Sequence, residues 1–110
     1  MTETEFLAVA EGVLNAVESA FDRAGEEADV DIECSRRGNV LEIEFIDNGS
    51  KIIVNTQVPM REIWVAARAG GFHYRLNEGR WCDTRDGSEL FPSLSRLAGL
   101  QAGTVLSIVG

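Results

Sequence analysis

Hydrophobic positions near the amino end recur every three or four places. Phe6, Ala10, Val13, Leu14, Val17 and Phe21 fall on one stripe, the interval that buries one face of an α-helix. Thr2 and Glu5 precede it at capping-box spacing and Gly25 follows it, so the pattern predicts a helix from about residue 3 to 24. The period then drops to two. Val30, Ile32 and Cys34 alternate with Asp29, Asp31 and Glu33, which predicts a half-buried strand over 29–35 with its acids outward.

Leu41, Ile43 and Phe45 repeat that alternation with Glu42 and Glu44, and Asn48-Gly49 is a strong hairpin signal. From Lys51 to Gln57, Ile52, Val54 and Thr56 face one way and Ile53, Asn55 and Gln57 the other, until Pro59 ends the strand. Ile63 and Val65 share the core face of the next strand, which puts Trp64 on the opposite, wet face. Gly70-Gly71 breaks the chain before strands over 72–76 and 80–83, separated by a turn at 77–79.

Asp86-Gly87 closes the meander. Ser88 is the expected cap of a second helix carrying Leu90, Leu94, Leu97 and Ala98, with Pro92 in its first turn and Gly99 or Gly103 at its end. Thr104 to Val109 is too apolar to be left in water and is expected to pack near the helices. The sum is an α+β fold, a two-layer α/β sandwich with both helices on one face of an antiparallel sheet, expected as a single domain over 1–110.

Charge changes this picture. The net charge of −8 is uneven: residues 1–47 hold thirteen acids against Arg23, Arg36 and Arg37, a balance of −10, and the remainder carries +2. Such asymmetry disfavours nucleic acid and anionic membrane and favours cations or a basic protein surface. No apolar run approaches the ~20 residues of a membrane span and the first residues lack signal-peptide character, so the cytoplasm is the expected location. Cys34 and Cys82 have no C-x-x-C or histidine companions, which argues against a zinc site or disulfide framework; both are expected as reduced thiols at small core positions.

Two groups exceed what folding needs. Glu11, Asn15, Glu18 and Asp22 make a polar ridge on the first helix, continued by Glu26, Glu27, Asp29, Asp31 and Glu33. Like charges one helical turn apart, as at Glu18 and Asp22, each cost a few tenths of a kcal/mol, about the gain of an opposite pair. Carboxylates suit hard cations, but without converging His or Cys such binding is expected to be weak and hydrated. Asn55, Gln57 and Trp64 form the second group, an aromatic ring flanked by amides on a wet sheet face, suited to docking a partner. His73, a lone histidine, is expected to be structural rather than a ligand. No catalytic triad, phosphate loop or zinc spacing is present, so the chain is not expected to be an enzyme.

The segment GSKIIVNTQVPMREIWVA, with GGFHYRL and RWCDTRDGSELF behind it, resembles the corresponding segments of frataxins, bacterial members above all, and the resemblance covers nearly the full length. It implies an iron-binding protein of iron–sulfur cluster assembly, a donor or sensor of iron and a regulator of the cysteine desulfurase; a monomer without an organic cofactor is expected. It also implies that iron contacts Glu18, Asp22, Glu26, Glu27, Asp29, Asp31 and Glu33, with Glu11 of the same ridge a further metal candidate, that Glu18 and Asp22 meet the desulfurase, and that Asn55, Gln57 and Trp64 meet the scaffold protein. Ferroxidase activity at the carboxylates, or protein-binding regulation with incidental metal affinity, stay open as alternatives. Family members are often acidic where this chain has Ser19 and Arg23, and Arg23 is expected to pair with Glu26 or Glu27.

Overall fold

In the computed structural model, which describes residues 1–110, the capping box closes reciprocally. The Glu5 amide donates to Thr2 Oγ1 at 3.1 Å and the Thr2 amide to Glu5 Oε1 at 2.8 Å. Helix α1 (Glu3–Ala28) starts there and runs nearly a turn past the glycine expected to stop it. Gly25 is buried inside the helix, and a Cβ on it would stand 2.9 Å from the Val30 carbonyl oxygen. Its role is close approach, not termination.

Asp29 ends the helix instead, in the left-handed conformation (φ 55°) that Asp tolerates better than most side chains. The Val30 amide bonds back to the Gly25 carbonyl at 2.9 Å and the Asp29 amide to that of Glu26 at 3.4 Å, the bond pair of a Schellman motif. Asp29 therefore belongs to a helix cap, and the first strand starts later than the alternation suggests.

Strands β1 (Ile32–Arg37), β2 (Val40–Phe45), β3 (Ser50–Gln57), β4 (Glu62–Ala67), β5 (Gly70–Asn77) and β6 (Arg80–Asp83) follow in chain order. Each pairs antiparallel with the next, so the sheet is a six-stranded meander. Both helices pack on one face of it. Leu41, Ile43, Phe45, Ile52, Val54, Ile63, Val65, Tyr74 and Trp81 meet Phe6, Leu14, Val17 and Phe21 of α1 and Leu90, Leu94 and Leu97 of helix α2 (Leu90–Ala102) in one core. A fully buried side chain of this size contributes about 1.5–3 kcal/mol, against about 0–1 kcal/mol for an exposed ion pair. The core therefore holds the fold, which leaves the surface charges free for other uses.

At α2 the expected cap is corrected. Glu89 occupies the N-cap without a side-chain bond, while the Ser88 amide donates to Asp86 Oδ1 at 2.9 Å in the preceding turn. Pro92 falls in the first turn, where its missing N–H leaves no bond unmade, and Gly103 (φ 73°) closes the helix on the Gly99 carbonyl. Beyond it, Leu106 and Ile108 are buried, and Ser95 Oγ both donates to the Ile108 carbonyl (3.2 Å) and accepts from its amide (2.8 Å). Arg23 joins this anchorage, donating Nη2 to the Val109 carbonyl at 2.9 Å. The fixed tail carbonyl thus takes the guanidinium expected for Glu26 or Glu27.

Candidate functional site

Arg36 divides the acidic ridge. From β1 it donates to Glu11 Oε2 at 2.6 Å and to Asn15 Oδ1 at 2.9 Å, which neutralises the ridge's amino-terminal part. Glu33 is set apart for a different reason. In β1 the residues Ile32, Cys34 and Arg36 turn toward α1, so the pleat places Glu33 on the open face of the sheet, opposite Glu44 of β2. Glu27 is exposed on α1 and stands outside the cavity that gathers its neighbours.

That cavity is open, ≈ 600 Å³ in volume, and lined by Asp22 and Glu26 of α1, Asp29 of the cap, Asp31 ahead of β1, and Asp47 of the β2–β3 turn. None of these carboxylates has an ion-pair partner. Sequence pattern gives no reason to include Asp47, which sits in a turn far along the chain. The meander brings it in: the Ile46 amide bonds to the Asp31 carbonyl at 3.0 Å, and Asn48 pins the turn by donating Nδ2 to the Gln101 carbonyl at 2.7 Å. The Asn48-Gly49 hairpin signal was the available clue, since an antiparallel β1–β2 pair must return that turn to the start of β1.

Cys34 abuts this region from the sheet side. Burial above all, and then the neighbouring Asp22 and Glu18 charges, push its thiol up to about 12. It stays protonated at neutral pH, so the donor atoms offered here are oxygen and not thiolate. No three His, Cys, Asp or Glu side chains are brought into a metal-holding group. The arrangement is an open basin of carboxylate oxygens, chemistry that suits a hydrated hard cation, rather than a closed cage.

The open sheet face carries the second group. Asn55 of β3 pairs directly with Trp64 of β4, and Gln57 Nε2 donates to Asn55 Oδ1 at 3.1 Å, so the three expected side chains do come together. The structure adds Glu62, His73 and Arg75. His73 of β5 stacks on the Trp64 ring, while Trp64 Nε1 donates to Glu62 Oε1 at 2.9 Å and Arg75 Nη2 to Glu62 Oε2 at 2.5 Å. Glu62 is only 3% exposed although it lies on the solvent side of the sheet. Desolvation raises its pKa, but the bonds from Trp64 and Arg75 and the Arg75 charge outweigh that and hold the carboxyl below the usual range. Period two was the clue to Glu62, which shares a face with Trp64 two residues on. Cys82 also lies on this face, opposite Arg75, because Trp81 and Asp83 take the buried positions of β6; the core position expected for it is corrected.

Comparison with known proteins matches this geometry to a family. Residues 1–104 fit the family model described as a frataxin-like domain. The iron-sulfur cluster assembly protein CyaY of Janthinobacterium sp. (strain Marseille) is 55% identical over 103 residues, covering 94% of this chain and 92% of its own. Frataxin from Psychromonas ingrahamii superposes with a TM-score of 0.82 at 29% identity, with 100% of both chains covered. Trimeric frataxin from the yeast Saccharomyces cerevisiae, complexed with ferrous, shares the fold at 24% identity and a TM-score of 0.69 over 86% of either chain.

Proposed function

The chain belongs to the frataxin-like family, and on that premise we propose that it is an iron–sulfur cluster assembly protein, carrying iron on its acidic basin and regulating the cysteine desulfurase in the cytoplasm. One observation carries the reading. Asp22, Glu26, Asp29, Asp31 and Asp47 surround one cavity without a single ion-pair partner, whereas Glu11 is matched by Arg36. Unpaired carboxylates at close quarters are disfavoured until a cation or a basic surface arrives. The same basin therefore serves both iron, bound weakly with part of its water, and a cationic desulfurase groove. Iron bound there neutralises charge and so weakens the second encounter. Asn55, Gln57 and Trp64 supply a separate face for the scaffold protein.

The test is an anaerobic ferrous titration followed by amide NMR, then a desulfurase titration at rising salt. Shifts centred on Asp22, Glu26, Asp29, Asp31 and Asp47, lost in the Glu26→Gln, Asp29→Asn, Asp31→Asn variant, are expected. Desulfurase affinity should fall steeply with salt, because exposed charges are screened over about 8 Å at physiological ionic strength. Iron shifts centred on the open sheet face, or desulfurase binding indifferent to salt, contradict the reading. Dioxygen uptake on adding ferrous iron, abolished in the same variant, would replace the carrier by a ferroxidase.

A further inference from the structure

A second, smaller cavity of ≈ 280 Å³ opens at the other end of the sheet, lined by Gly71, His73, Thr84 and Arg85. Its chemistry is the inverse of the acidic basin: a guanidinium, an imidazole, a hydroxyl and a glycine backbone, with no carboxylate in the lining. Arg85 is fixed in place. Its amide donates to Asp83 Oδ1 at 2.7 Å, and its Nη2 donates to the Gly71 carbonyl at 2.7 Å. Its guanidinium stands 5.8 Å from the centroid of the Phe72 ring, which Arg96 flanks at 5.9 Å. Neither arginine has an ion-pair partner, and a guanidinium offers five N–H donors. His73 is held by its stack on Trp64, at 4.0 Å between centroids.

The geometry points to a binding site for a small oxyanion, a carboxylate or a phosphate, with Arg85 as the charged donor and Thr84 and His73 completing the shell. Donors already held by Phe72, Gly71 and Trp64 lose little freedom on binding, and charge-assisted bonds from a guanidinium are about twice as strong as neutral ones. The net charge of −8 does not forbid this. The unpaired basin carboxylates sit beside β1, about 19 Å from β5 at the usual strand spacing and more than two screening lengths at physiological salt, while of the carboxylates near the cavity Glu62 is taken by Arg75 and Trp64 and Asp83 accepts from the Arg85 amide. The volume suits an anion of a few heavy atoms and falls just below the range of drug-sized pockets.

The test replaces chloride by inorganic phosphate, or in a separate arm by acetate, at constant ionic strength and pH, while NMR follows the Gly71, Thr84 and Arg85 amides and the His73 ring. Saturable shifts confined to these signals are expected, with affinity weakened at least about tenfold in Arg85→Gln and unchanged in Arg80→Gln, which removes an equal charge outside the cavity. The arm that saturates first identifies the anion as phosphate or carboxylate. Thr84→Val, which removes only a hydroxyl, carries the comparison if Arg85→Gln fails to fold, and it too should weaken binding. Linear shifts in both arms, saturation that survives Arg85→Gln (or Thr84→Val in its place), or equal loss in Arg80→Gln overturns the site.

Discussion

Trp64 and His73 lie face to face across the β4–β5 pair, their ring centroids 4.0 Å apart and their planes 5° from parallel. A second hold on the indole is its N–H, which donates to Glu62 Oε1 at 2.9 Å. Cross-strand stabilisation and docking are therefore not rival accounts of this residue. The stack fixes the ring in advance, and a ring that is already immobile would lose less entropy were a partner to cover its free side.

Glu62 should prove the keystone of that face. Glu62→Ala leaves the indole N–H unpaired and removes the partner of Arg75, a change expected to cost about 1–3 kcal/mol in urea denaturation. Its native pKa is depressed, so its contribution is fully present above the unfolded value of about 4.3 and is lost as pH falls through the native one. Acidification from about pH 5 to 3 should thus destabilise the wild type more than Glu62→Gln. Equal slopes for the two proteins would dismiss the linkage.

Period two and period 3.6 carried most of the architecture: the strand faces of Ile52, Val54 and Thr56 and the α1 stripe stand as the pattern predicts. What pattern could not supply was long-range placement. Gly25 has two physical uses, chain reversal and close approach, and only the position of the Val30 carbonyl distinguishes them. Arg36 resembles any turn-flanking cation until β1 is laid against α1, where it silences Glu11. Glu33 alternates correctly with the core positions, yet the same alternation that exposes it sends it to the face away from Asp22. Asp47 enters the basin only through the β1–β2 register.

Two glycines of α1 give a controlled contrast. Gly12 is exposed with nothing within 4 Å of where a Cβ would stand, so Gly12→Ala should stabilise by roughly 0.5–1 kcal/mol through backbone entropy. Gly25→Ala gains the same propensity but drives a methyl against the Val30 carbonyl, and should lose about 1–3 kcal/mol net. Denaturant midpoints shifting in the same direction for both variants would rule out the close-approach role.

The unpaired basin should make stability depend on ions. Melting temperature is expected to rise with sodium chloride through screening, and to rise further with millimolar divalent cation through binding to the native state. Asp29→Asn, which keeps a side chain tolerant of the left-handed conformation, should raise the low-salt melting temperature and blunt the response to divalent cation. A melting temperature indifferent to both additions would mean the carboxylates do not repel one another appreciably.

Cys34 offers a reporter inside the same region. Only the thiolate is nucleophilic, and a thiol held up at about 12 should alkylate at pH 8 on the order of a thousandfold more slowly than an ordinary one. Part of that elevation comes from the Asp22 and Glu18 charges. Asp22→Asn should therefore speed labelling, and so should any cation that settles on Asp22, because it cancels the field that keeps the proton on sulfur. The measurement is the rate of iodoacetamide modification at Cys34, resolved from Cys82 by peptide mass analysis, with and without divalent cation. Acceleration by the cation in the wild type but not in Asp22→Asn would place the ion beside this carboxylate. An unchanged rate at cation concentrations that raise the melting temperature would place it elsewhere on the molecule.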